Sequence, residues 1–340
     1  MSIKKFFNPD TIVAMKPFVY RFWIPIVTAI VALAIGILIG VLIPVQAPFD
    51  VTPNQYEINS AYHFINPLLS CGDDNFSRIP NGQIADLQSR VSDYISSQQS
   101  AGILDTASVY FRELNGGQFF SINPDILFVP ASLLKVPLAM SVYLQAEQSP
   151  NLLKQKVSYA APFAPAQEYF TAPTLAASST YSVEQLIDAM IINSDNNAAL
   201  LLTHVISTAS LDQSYSDLGI TVPQNAQYSM TVATYAGFFR VLYNATYLNH
   251  DDSEHLLGLL SQSTFHQGLV AGVPAGVVVA HKFGERGYNN PAIPDQLHDC
   301  GIVYAKKPYV ICIMTQGTGY DAMAGIIATI SKMAYAYGGP

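Results

Sequence analysis

Residues Tyr181 to Leu202 read YSVEQLIDAMIINSDNNAALLL. The segments LIDAMII and AALLL each carry the dense, helix-spaced apolar residues of an inward-facing helix, and Ser194-Asp195-Asn196 falls at their junction, where three polar side chains interrupt helical packing. The stretch therefore reads as helix, polar corner, helix. Working outward, Ser132-Leu133-Leu134-Lys135 stands 62 residues before that corner, behind Pro130-Ala131 and at the start of another helical pattern. Residues three apart share a helix face, so the hydroxyl and the amine can touch. A helix N-terminus favours a serine alkoxide, and a neutral amine alongside can take its proton. Taken alone, the same spacing also suits a serine N-cap followed by a solvent-facing lysine. On the other side, 88 residues beyond Ser194, His281-Lys282-Phe283-Gly284 lies in the strand-like run VVVAHKFG.

The remaining chain supplies a frame for these three groupings. Ile84, Leu87, Val91, Tyr94 and Ile95 recur at helical spacing and predict a first helix ending near Gly102. ASVYFREL and QFFSINP flank Asn115-Gly116-Gly117, the turn chemistry of a β-hairpin. Helical patterns follow over Leu133–Leu144, Val183–Ile192, Ala198–Ile206 and Val232–Leu242. Strand signals return in VVVAHKFG, CGIVYA and YVICIMTQ, the last two joined by Lys306-Lys307-Pro308, and DAMAGIIATISKMAYAYG closes the chain as a helix of small residues. Helix, two strands, a helical block, three strands and a final helix predict an α+β fold: an antiparallel sheet flanked by N- and C-terminal helices, with an all-helical subdomain beside it. No internal repeat of 20–50 residues is visible, which sets solenoids and propellers aside.

The 340 residues are 50% apolar and 12% charged, with 42 Gly plus Pro, which excludes a disordered or collagen-like chain. Trp23 to Val45, WIPIVTAIVALAIGILIGVLIPV, contains no charge, and at 1.5 Å per residue it is long enough for one transmembrane helix. It exceeds the usual signal-peptide core and no A-x-A site closes it, so it reads as a retained anchor. Lys4, Lys5, Lys16 and Arg21 precede it, which leaves the N-terminus (1–22) cytoplasmic and everything beyond about Pro44 extracytoplasmic. Ala32, Gly36 and Gly40 repeat every four residues, a face on which Gly36 and Gly40 could bring two copies together as a homodimer. Residues 46–80 read as a stalk that packs only in places, and 81–340 as the working domain. Beyond residue 45 there are 12 basic against 23 acidic residues, which disfavours nucleic acid as a partner.

In order and context, Ser132-x-x-Lys135, Ser194-Asp195-Asn196 and Lys282-Phe283-Gly284 resemble the S-x-x-K, S-D-N and K-T-G set of the class A β-lactamases and penicillin-binding proteins. The resemblance runs from about Ile84 to Gly338. It implies a serine hydrolase that transfers acyl groups through a Ser132 ester, acting on a β-lactam or a D-Ala-D-Ala-type amide of a peptidoglycan stem peptide. By the same resemblance Lys135 is the general base and Ser194 relays the proton to the leaving nitrogen. Asn196 holds Lys135 and the substrate amide, while Asp195 braces the loop. Lys282 holds Ser194 and supplies positive potential for a substrate carboxylate. Backbone N–H groups of Ser132 and Glu285, next to Gly284, form the oxyanion hole. Asn75-Phe76-Ser77 and Asn244-Ala245-Thr246 look like glycosylation triplets, which have no bearing in the bacterial host that the family implies.

Two departures qualify the reading. Phe283 stands where the family has a threonine, so a hydroxyl for a substrate carboxylate is missing. The stretch Leu218–Tyr235 holds no acid, although class A β-lactamases carry a deacylating glutamate on the corresponding loop. Weak β-lactam turnover is therefore expected, with Glu147 and Glu168 as remote candidates for another base. The alternative is a non-hydrolytic penicillin-binding sensor or a pseudoenzyme. The histidines are scattered without HExxH or H-x-H spacing, and the reading needs neither metal nor cofactor. Arg286, beside Glu285, is either a carboxylate-meeting cation or half of an exposed neighbour pair. Three cysteines allow three pairings. The expected one joins Cys71 to Cys300 and leaves Cys312 as a free buried thiol.

Overall fold

The computed structural model describes residues 26–33, 62–66, 82–162, 169–221, 228–287 and 294–338. Residues 26–33 are helical with exposed side chains. They fall inside the expected 23–45 span, most of which, with Gly36 and Gly40, lies outside the described residues. Among the described residues no helix is long and apolar enough to cross a membrane.

The unit beyond the N-terminal segment is built on a five-stranded antiparallel sheet whose spatial order is β2-β1-β7-β6-β5. Its strands are β1 (Leu104–Glu113), β2 (Phe119–Ile122), β5 (Val279–Arg286), β6 (Asp295–Val303) and β7 (Tyr309–Gly317). The period of two along β7 sorts its side chains between two cores. Tyr309, Ile311 and Ile313 pack with α1 (Gly82–Ser100) and the C-terminal helix α8 (Tyr320–Gly338). Val310, Cys312 and Met314 face the opposite core, made with the helical subdomain. Ile84, Leu87, Val91 and Ile95 of α1 are all buried, which is the apolar stripe read from their spacing.

The helical subdomain holds α2 (Lys135–Gln148), α3 (Val183–Ile192), α4 (Asn196–Thr203), α5 (Thr208–Asp217), α6 (Val232–Tyr243) and α7 (His250–Leu260), with a small hairpin of β3 (Lys156–Tyr159) and β4 (Ser179–Ser182). Ser182 and Gln185 form a reciprocal capping box that starts α3, so the corner at Ser194 follows a helix with a fixed beginning. The sequence patterns did not disclose α5, α7 or this hairpin. The segment 62–66 of the expected stalk lies against this subdomain. There the Glu254 carboxylate accepts the backbone N–H groups of Phe64 and Ile65 at 2.8 and 2.9 Å, together with that of His63. Tyr304 donates to the Phe64 carbonyl at 2.8 Å, and Ile65 is buried.

The expected Cys71–Cys300 pairing is overturned, because Cys300 is bonded to Cys312. The reason is register. β6 and β7 form a hairpin in which Asp295 pairs with Gly317 and Val303 with Tyr309, so Cys300 sits directly opposite Cys312, with Cα atoms 4.0 Å apart and both side chains on the same buried face. Cys71 lies outside the described residues.

Candidate active site

Three elements converge on Ser132. The first is the approach to it. Phe128 exchanges both backbone hydrogen bonds with Met230, and Val129 is held on each side by β6: its N–H donates to Gln296 Oε1 at 3.1 Å and its carbonyl accepts from His298 Nε2 at 3.1 Å. Burial lowers the His298 pKa to about 4, so the ring is neutral, and the Thr315 N–H on Nδ1 fixes the proton on Nε2. Ala131 then adopts a left-handed conformation, φ 50°, and the chain turns into a 3-10 segment, Ala131–Leu134. Tyr235 on α6 secures that turn by donating to the Leu133 carbonyl at 3.0 Å. The helix expected to begin at Leu133 begins at Lys135, so Ser132 and Lys135 are joined across a tight turn rather than along an α-helix.

The second element is the α3–α4 corner. Ser194 is left-handed, φ 57°, and buried, a backbone state that costs a non-glycine residue on the order of 1 kcal/mol or more. Asp195 offsets that cost. Its Oδ1 accepts from the Asn197 and Ala198 N–H groups as the N-cap of α4, and Oδ2 accepts from the Leu175 N–H at 2.8 Å. The third element is β5, the edge strand. Gly284 is required there by proximity, because a Cβ would lie 2.8 Å from the Pro130 carbonyl and 3.2 Å from Leu133 N. The strand thus passes in contact with the turn that carries Ser132. The two N–H groups that the resemblance assigns to the oxyanion hole, those of Ser132 and Glu285, belong to this turn and this strand.

Where the elements meet, Lys135 Nζ lies 3.0 Å from Ser132 Oγ, 3.0 Å from Ser194 Oγ, 2.6 Å from Asn196 Oδ1 and 2.5 Å from the Ser194 carbonyl. Lys282 Nζ lies 2.8 Å from Ser194 Oγ and 3.0 Å from the Phe283 carbonyl. Burial lowers the Lys135 pKa to about 7, against the nearby charges of Asp195 and Glu285, which hold it up. Lys282, wholly buried, is pushed well below the usual lysine range by desolvation and by Lys135 next to it. The acceptors around Lys135 fit a neutral amine. The Ser194 carbonyl and Asn196 Oδ1 can only accept, so they take two N–H groups, and a neutral amine keeps one lone pair for the proton of a single hydroxyl.

The other sequence-derived candidates fall elsewhere or serve differently. Phe283, on the opposite strand face from Lys282, is buried against Phe265 with ring centroids 4.2 Å apart. The Glu285 side chain accepts the N–H groups of Tyr169 and Phe170, each at 3.1 Å, tying down a segment that the sequence did not single out. Glu147 is exposed and caps Asn249 N, and Glu168 lies outside the described residues. His281, next to Lys282, forms a fully buried pair with Asp299 at 2.8 Å, and Asp299 also accepts from Leu269 N. Among the described residues no group of three or more His, Cys, Asp or Glu is arranged to hold a metal.

A model of the β-lactamase enzyme family matches residues 86–337. This chain belongs to that family. None of the curated proteins matches it in sequence. Among solved structures it is similar to PBP-A, at 22% identity and a TM-score of 0.62, covering 76% of this chain and 98% of that one. It is also similar to the TLA-1 extended-spectrum β-lactamase, at 19% and 0.64 over 74% and 98%, and to a β-lactamase from Chitinophaga pinensis, at 19% and 0.63 over 74% and 98%. A PBP-A variant of comparable similarity, at 22% and 0.61 over 76% and 98%, is described as an acyl-enzyme complex with penicillin G. At these identities the structural likeness establishes the α+β fold with its antiparallel sheet and helices. The family match makes the fold that of a β-lactamase-like serine hydrolase.

Proposed function

We propose that this protein is a membrane-anchored, extracytoplasmic acyl-transfer enzyme that forms a Ser132 ester with a β-lactam or a D-Ala-D-Ala-type amide. The observation that carries the reading is the position of Lys135 Nζ, 3.0 Å from both Ser132 Oγ and Ser194 Oγ, with Lys282 2.8 Å further on. Neutral Lys135 takes the Ser132 proton as Oγ bonds to the carbonyl carbon, and the oxyanion forms against the Ser132 and Glu285 N–H groups. Ser194 then gives its proton to the leaving nitrogen and is reprotonated by Lys135, so the C–N bond breaks and Lys135 returns to the neutral state.

Release of the acyl group requires a base for water. No acid lies in 218–235, and a positioned general base is worth roughly 10²–10⁴-fold. The ester therefore persists, and the protein acts as a penicillin-binding protein that hydrolyses antibiotics poorly. Intact-mass timing after mixing with a β-lactam panel tests this. A Ser132 adduct lasting minutes, absent in Ser132→Ala, supports the reading; rapid multiple turnover refutes slow release, and labelling of Ser132→Ala refutes the nucleophile. The orientation rests on the basic flank before Trp23, and a C-terminal reporter active only in the cytoplasm would refute it.

A further inference from the structure

The groups that pass protons in this site are covered. Ser194 is 1% exposed and Lys282 0%, although Ser132 beside them is partly exposed. A leaving nitrogen that takes the Ser194 proton has to come within about 3 Å of Ser194 Oγ, an atom that the fold encloses. Some element around the site therefore has to move before the chemistry.

Residues 169–175 are placed to be that element. β5 turns Phe283 and Glu285 to one face and Lys282 and Gly284 to the other, and because β6 pairs along it from Val279 to Arg286 it has one free edge. On the face away from Lys282, the Glu285 carboxylate accepts the N–H groups of Tyr169 and Phe170, each at 3.1 Å. On the Lys282 side, Leu175 donates its N–H at 2.8 Å to Asp195, the neighbour of Ser194. Five residues separate Phe170 from Leu175, at most about 18 Å at full extension, so the chain between them rounds the free edge or the end of β5 as a short strap. It runs from the strand whose Glu285 N–H is assigned to the oxyanion hole to the corner that holds Ser194. Its fastenings are at its ends, where Asp195 and Glu285 are joined by Asp321 of α8, which accepts from the Tyr169 hydroxyl at 2.7 Å. Between them Thr171, Pro173 and Thr174 are exposed, and among the described residues none outside the strap is hydrogen-bonded to 171–174.

We propose that residues 169–175 are a gate over Ser194 and Lys282, latched by Glu285 and Asp321 and lifted to admit the acyl donor. The Leu175 end is the hinge, because the Asp195 carboxylate that holds it is also the N-cap of α4 and stays with the corner. The Tyr169–Phe170 end is the one that releases, since its bonds are made by side chains of β5 and α8 that no helix start depends on. The inference rests on the acyl-transfer reading of Ser132 and adds to it an opening step that precedes acylation.

The test loosens the latch without touching the catalytic groups. Tyr169→Phe keeps the ring against Tyr320, 4.7 Å between centroids, and removes only the hydroxyl, while Asp321→Asn removes the charge that it meets. In the full-length protein, hydrogen exchange of the Tyr169 and Phe170 amides is measured without ligand, and the rate of Ser132 labelling by benzylpenicillin is followed by intact mass. Both variants should exchange faster at these amides and label about 2–10-fold faster, the factor carried by one such hydrogen bond. The double variant should gain no more than the larger single one, because both changes break the same bond. A variant that merely folds less well labels more slowly, which separates a gate from a structural strap. Labelling only in the variants, with none in the unmodified protein, would support the gate most strongly. Faster exchange with unchanged or slower labelling overturns the gate and leaves Ser132 as the nucleophile; unchanged exchange in both variants overturns the latch. If the strap loosens and no form is labelled, the acyl-transfer reading falls and the gate falls with it.

Discussion

Acylation of Ser132 should follow the ionisation of Lys135 as pH is varied between 5 and 10. The base works only as the free amine, and burial brings its pKa to about 7. About 1% of the protein then holds a competent base at pH 5, about half at pH 7, and nearly all at pH 9. The second-order labelling rate should rise about tenfold per unit at the acid end, bend near 7, and be flat by pH 9, a total gain of roughly 100-fold. A lysine in its ordinary state would instead give a rate still climbing at pH 10. The sign of a neighbour's effect is also fixed, because Asp195 holds the Lys135 pKa up. Asp195→Asn keeps the N-cap oxygen and removes the charge, so the bend should move below 7, while the amide NH2 that then faces one of the accepted N–H groups costs about 1–3 kcal/mol of stability. Rapid mixing with a β-lactam, quenched and read by intact mass, gives both profiles. A rate independent of pH from 5 to 9, or a bend that rises in Asp195→Asn, would refute the assignment of Lys135 as base.

Three further outcomes follow from the same geometry. Gly284→Ala places a methyl group 2.8 Å from the Pro130 carbonyl, so it should cost about 1–3 kcal/mol by urea unfolding and slow acylation at least tenfold; unchanged labelling would mean that β5 does not need its close approach. Lys135→Ala should remain folded and lose labelling by about 10²–10⁴-fold, and near-normal labelling would require another base for Ser132. Both buried lysines bind protons more tightly in the unfolded chain than in the fold, so the unfolded state carries the extra protons between about pH 7 and 10. Stability should therefore increase with pH across that window, by up to about 1.4 kcal/mol per unit for each neutral lysine, and a decrease in urea midpoint from pH 7 to 9 would contradict it.

The sequence made the polar corner at Ser194 legible because its physics is local. The apolar segments of α3 and α4 are separated by the polar run Asn193 to Asn197, and Ser132 and Lys135 are joined by their own turn. The strands of the sheet were legible through their period of two. Less visible were elements with little apolar surface. Helix α5 buries only Ser214 and Tyr215, and α7 opens with the polar run HDDSEH. Asn249 caps α7 and acids occupy its first turn, a start signal that was present in the sequence. The supports of the chain leading to Ser132, Gln296, His298 and Met230, lie about 100 to 170 residues from the serine, and no local pattern connects them. The roles of Tyr169 and Phe170 depend on contacts with Glu285 more than 110 residues away, and the same distance hid the strap.

The Cys300–Cys312 bond has a consequence for how the site is assembled. Lys282 pairs across the sheet with Cys300, so the strand that presents the lysine is aligned on the strand that carries the bond. A slip of one residue between β6 and β7 would send every side chain to the wrong face, moving His298 away from Val129. Once the two sulfurs are joined, that slip is closed to the chain. The hairpin is short-range, with the cysteines 12 positions apart in sequence, so it can set early and serve as the ruler against which β5 is laid down. Oxidation thus fixes an alignment on which the placement of Lys282 depends, although neither sulfur takes part in the chemistry.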